Sequence, residues 1–174
     1  FGQITSYVFG HFVFDVEYFL SEKKVEKIES IDFFFYRYKY KSHKNPPNNF
    51  WNIMVRRNLF VHPYVYYLHL VNKMIPGGEI HTIRMNVEIN GSRDTKGLLA
   101  KTKPSISFTS EENQRGHLFL KKVGLQSDNI FVCLNVRDSA YKEKYASWNK
   151  DWSKHNNRDS DINTYEETVI NLAE

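Results

Sequence analysis

A chain of 174 residues with 41% hydrophobic and 25% charged residues has the make-up of a folded globular protein, which sets aside the disordered and membrane-spanning classes. Its length suits one full domain, or one small domain and the start of another. The net charge of +4 comes from scattered Lys and Arg with short clusters at 38–44 and 142–154, a balance that suits an anionic small ligand or weak attraction to an acidic membrane surface and falls short of a nucleic-acid footprint.

In chain order, Gln3 to Val8 reads as a strand, Phe9-Gly10 as a glycine turn, and His11 to Glu22 as a helix, with Phe12, Val13, Val16, Phe19 and Leu20 at helical spacing. Ile31 to Tyr38 is an aromatic strand, and Asn45-Pro46-Pro47 a loop. Asn48 or Asn49 caps a helix that runs to about Leu59, and Pro63 opens another that runs to about Met74 and stops at Pro76-Gly77-Gly78. Glu79 to Val87 reads as a strand or extended loop, with Asn90-Gly91 as a turn. Thr109 and Glu112 have capping-box spacing, so a helix is predicted from Ser110 to Val123 with Gly124 just past its end.

Asn129 to Val136 is an unbroken apolar run of the kind buried on both faces of a parallel sheet. The lone Cys133 lies within it, where burial would leave the thiol inert; with no second cysteine, a reducing, cytoplasmic setting follows by default. A polar segment, Ser139 to Asn163, leads to a final helix, Thr164 to Glu174. The chain opens on Phe1 rather than Met and that helix has no cap, so the sequence is expected to be a piece of a longer protein. No stretch approaches the roughly 20 apolar residues that span a bilayer. Strands alternating with helices imply an α/β layered fold, divided at 1–125 and 126–174.

Ligands of open α/β sheets bind beyond the carboxyl ends of the strands, which draws attention to Arg137 and Asp138. Arg donates a planar, permanently charged fork suited to phosphate; the plain alternative is an ion pair at a strand end. The stretch His155 to Ile162 precedes a helix start, where free N–H groups favour anions. Within it, Arg158 is a phosphate candidate, His155 beside carboxylates a general-base candidate, and Asp161 either a ligand holder or a capping residue. At the first strand-to-helix turn, Gly10 permits close approach of a ligand to backbone and His11 stands at the helix start. His62 and His69 lack a third metal ligand, and dinucleotide, P-loop and serine-elbow signatures are missing.

In combination, Val132-Cys133-Leu134-Asn135-Val136-Arg137-Asp138-Ser139-Ala140-Tyr141, His155-x-x-Arg158-Asp159-Ser160-Asp161-Ile162-x-Thr164-Tyr165 and Phe9-Gly10-His11-Phe12 with Asp15 and Glu17 resemble a family of bacterial glycosyltransferases of surface-polysaccharide clusters, distantly similar to GT-B fucosyltransferases. Asn135 stands where the His-x-Arg motif of those enzymes has its His. The resemblance implies a Rossmann-like acceptor-side domain with a connector helix, followed by the first βα unit of a donor-side domain. It implies transfer from a nucleotide-sugar donor to a glycan or glycolipid acceptor without a metal or other cofactor, at the inner face of the membrane. Arg137 and Arg158 would hold donor phosphate, with His155 or Asp138 as catalytic groups and Gly10, His11 and Asp161 as substrate contacts; the isolated piece would be inactive. The alternatives are a non-catalytic glycan- or partner-binding module and another anion-handling transferase.

Overall fold

The computed structural model describes residues 1–37, 46, 48–125, 129–137 and 159–173. Its contacts divide the chain into two units, Phe1–Phe119 and Leu120–Glu174, so the division falls inside a helix rather than at residue 125.

The first unit is built on a parallel sheet of β1 (Gly2–Thr5), β2 (Phe33–Arg37) and β3 (Phe60–Val61), in spatial order β1-β2-β3. A single parallel bridge from Ile83 to Gly2 extends the sheet on the other side of β1, with the Ile83 N–H donating to Phe1 O at 2.9 Å. The arrangement is mixed α/β and compatible with a Rossmann-like half: three strands laid outward in one direction, then a return across β1.

Alternation along β2 sorts its side chains onto two faces. Phe34 and Tyr36 meet α1 (Phe9–Glu26) edge to face, through Phe19 and Phe12 respectively. α2 (Asn49–Asn58) lies on the same face: Tyr36 donates to Asn52 Oδ1 at 2.6 Å and Trp51 to Phe12 O at 3.3 Å. On the opposite face Phe35 packs against Tyr66 and His69 of α3 (Val65–Met74). Ile4, Phe12, Val16, Phe34 and Val55 are wholly buried between sheet and α1–α2, each worth ~1.5–3 kcal/mol of transfer free energy.

Helix ends follow local chemistry. Asn48 caps α2, its Oδ1 accepting from Trp51 N at 2.8 Å. The capping box at α6 (Ser110–Lys122) is closed both ways: Thr109 N–H donates to Glu112 Oε2 at 2.9 Å, and Glu112 N–H to Thr109 Oγ1 at 3.2 Å. α1 begins earlier than its periodicity predicts, because Val8 is extended and its carbonyl accepts from Phe12 N at 3.0 Å. The glycine turn is therefore corrected: Gly10 lies in the first helical turn of α1, where an added Cβ would meet nothing within 4 Å.

Glu79 to Val87 is corrected as well. Gly77 turns the chain at φ 80°, a 3-10 turn covers Gly78–His81, only Ile83 touches the sheet, and α4 (Asn86–Asn90) follows. Gly78 is required here, since a Cβ would sit 2.0 Å from the Asn72 carbonyl oxygen while Asn72 Nδ2 holds Gly78 O at 2.7 Å. A short α5 (Leu98–Lys101) packs on α1.

In the second unit the described residues include 129–137, a 3-10 turn at Ile162–Tyr165 and α7 (Glu166–Ala173). The predicted strand Asn129 to Val136 forms no strand pairing among the described residues, so the predicted opening βα unit of a second sheet is not formed there. Cys133 is exposed rather than buried. Among the described residues no ladder satisfies an extended backbone here, and Ile130, Phe131, Val132 and Leu134 stay exposed. Among the described residues no helix is long and apolar enough to cross a membrane.

Candidate functional site

The sheet changes direction of winding at β1. β1 leads into α1 on one face, while α3, on the other face, leads to Ile83 on the far side of β1. Such a switch point opens a crevice between neighbouring strand ends, and the connections leaving it carry the ligand-facing groups. Here those connections are Ser6–Val8 with the first turn of α1, and the segment from Arg84 through α4 to Ser92.

A hydrogen-bonded chain joins the two. His11 Nδ1 lies 2.6 Å from Ser92 Oγ, and Ser92 Oγ donates to Asp15 Oδ1 at 2.8 Å. A hydroxyl has one proton; because that proton goes to Asp15, Ser92 accepts from His11 Nδ1–H. In the neutral ring Nε2 is then left with its lone pair. Helical spacing places His11 and Asp15 one turn apart on the same face of α1. Asp15 has no exposed surface, and this burial pushes its carboxyl above the ordinary range, opposed by the Ser92 hydrogen bond and the His11 charge.

Ser92 is delivered by unusual backbone. After α4, Gly91 (φ 61°) and Ser92 (φ 59°) both take the left-handed conformation, which costs a serine about 1–2 kcal/mol. Strain of this sort persists where surrounding structure imposes it. The Asn86 side chain imposes it here, accepting from Arg93 N at 2.8 Å just beyond the turn. Glu17 ties down the other flank by accepting from Ile106 N at 3.1 Å and from Ser105 N. His11 is half-buried, its ring held on Nδ1.

Of the sequence candidates, Gly10 and His11 stand together in the first turn of α1, with open space beside Gly10. Arg137 ends the described apolar run, its Nε paired with Asp159 Oδ1 at 3.1 Å and its carbonyl accepting from Ser160 N at 2.9 Å. Asp161 takes the capping alternative: its Oδ1 accepts from Asn163 N at 2.9 Å and from Asn163 Nδ2 at 2.8 Å. Asp138, His155 and Arg158 lie outside the described residues. Among the described residues no three His, Cys, Asp or Glu side chains gather in a metal-binding group.

Ser92 escaped the sequence reading, which took Asn90-Gly91 simply as a turn. The only forewarning was that Asn-Gly tolerates left-handed backbone. Comparison with known proteins returns no matching family model, no matching curated protein and no matching solved structure.

Proposed function

We propose that the first unit is the acceptor-side domain of a GT-B-type glycosyltransferase, in which His11 takes the proton of an acceptor hydroxyl. The observation that carries this reading is the His11–Ser92–Asp15 chain at the switch point of the sheet. A buried carboxylate acting through a hydroxyl orients the imidazole, selects the tautomer with a bare Nε2 and stabilises the imidazolium once formed.

In the transfer step the acceptor oxygen forms a bond to the anomeric carbon of a nucleotide sugar, and its proton passes to His11 Nε2. The bond from that carbon to the diphosphate oxygen breaks, and the diphosphate leaves with the electron pair. Arg137 is the group the family resemblance assigns to hold that developing charge.

The test is turnover of a panel of nucleotide sugars by the full-length protein and its His11→Ala and Ser92→Ala variants. His11→Ala is expected to lower kcat by about 10²–10⁴, the usual contribution of a general base. Ser92→Ala is expected to lower it less. A His11→Ala protein that turns over like the wild type, or a wild type that turns over none of the panel, overturns the reading.

A further inference from the structure

We propose that a cavity of about 430 Å³ between the ends of β2 and β3 and the first turn of α3 binds a phosphate ester carried on a ring, a sugar phosphate or a nucleotide. The proposal does not depend on the transfer reading, because binding alone reports on it.

Position speaks first. Arg37 is the last residue of β2 and His62 directly follows β3, so both stand at carboxyl ends of parallel strands, where α/β sheets hold their ligands. The volume falls within the range of small-molecule sites, ~300–1,000 Å³.

Charge speaks next. Arg37, Arg56 and His62 line the cavity, and no Asp or Glu is among its described lining residues. Among the described residues neither Arg37 nor Arg56 has an acidic partner, whereas Arg57, next in sequence, is clamped by Glu112 through both terminal nitrogens. Two uncompensated guanidinium groups on one small cavity make a positive field that an anion relieves, and their forked donors match phosphate oxygens. His62 Nδ1 accepts from Tyr64 N at 3.3 Å, so the neutral ring carries its proton on Nε2 and offers a third donor.

The remaining wall is aromatic. Tyr66 and Tyr67 line the same cavity from the first turn of α3, in edge-to-face contact with each other. Aromatic faces beside cationic donors suit a ligand whose phosphate is joined to a flat or semi-flat ring, by stacking and by C–H contact. Bare inorganic phosphate would leave that wall unused.

The test is thermal shift followed by calorimetry on the purified protein with inorganic phosphate, a hexose 1-phosphate and a nucleoside diphosphate. At least one ring-bearing ligand is expected to raise Tm saturably and to bind at least tenfold more tightly than inorganic phosphate. Whichever ring wins identifies the source. Arg37→Ala and Arg56→Ala should each weaken that ligand by roughly tenfold or more, the scale of a lost charge-assisted contact. Both side chains are exposed, so the unliganded Tm should hold. Tyr67→Ala should weaken the ring-bearing ligand and leave inorganic phosphate unaffected. The proposal is overturned if none of the three binds, if inorganic phosphate binds as tightly as the ring-bearing ligands, or if the double arginine variant binds like the wild type.

Discussion

Two short apolar runs, β2 and residues 129–136, are composed alike and situated in opposite ways. In β2, Phe34, Phe35 and Tyr36 are 0%, 4% and 8% exposed, with strands on both sides and helices on both faces. In the other run, Ile130 and Val132 are 95% and 64% exposed and no strand pairing is formed among the described residues. A run of apolar residues is thus an offer of burial, and neighbouring layers decide whether it is taken up.

The largest effect expected tests that contrast directly. Phe34→Ala should cost ~3–5 kcal/mol, the range for emptying an aromatic site in a packed core, while Val132→Ala should stay within about 0.5 kcal/mol. Urea midpoints of the two variants read the difference. If Val132→Ala costs as much as Phe34→Ala, residues 129–136 are as enclosed as β2 and the contrast collapses.

A smaller effect separates two glycines of the first unit. An added Cβ at Gly2 would stand 2.3 Å from Phe34 Cε1, so Gly2→Ala should destabilise by ~1–3 kcal/mol through overpacking of the β2 neighbour. Gly10 has open space around it, and Gly10→Ala should instead stabilise α1 by up to about 1 kcal/mol. Thermal melts of the pair should move in opposite directions.

The smallest effect expected is electrostatic. The Arg57 guanidinium, aided by the Thr109 N–H, holds Glu112 down at about 2 from an ordinary 4.5. A carboxyl with a depressed folded-state pKa contributes stability that is complete above the unfolded value and lost as pH falls from 4.5 towards 2. Glu112→Gln should therefore matter at neutral pH and cease to matter near the bottom of that window. Salt should weaken the neutral-pH difference, as for any partly exposed pair. An acid titration of unfolding for both proteins checks the slope.

Much of the first unit was legible because its signals are local. Asn48 and the Thr109–Glu112 box mark helix starts by chemistry that acts within a turn, and each does so in the structure, whereas Pro63, predicted in the first turn of its helix, stands two residues before α3 begins at Val65. What lay beyond sight was long-range. The chain from His11 to Ser92 joins residues 81 apart, and Arg37, Arg56 and His62 meet on one cavity only because β2, α2 and β3 fold back on one another. The reading of 129–136 as a buried strand failed for the same reason, since composition describes a segment and burial describes its surroundings. His11 was found through its place at a strand-to-helix turn; the hydroxyl and carboxylate behind it were not found by position.

The bridge between Gly2 and Ile83 also bears on how the chain is made. β1 is made before either of its neighbours: one flank comes from β2 and the other from residue 83. At the usual ~5–20 residues per second, the ribosome takes roughly 4–16 s to supply the second flank. For that interval β1 and α1 exist as a nascent αβ segment with one edge unpaired and the Asp15 carboxylate without Ser92, a window in which a chaperone or a neighbouring chain competes for the same edge.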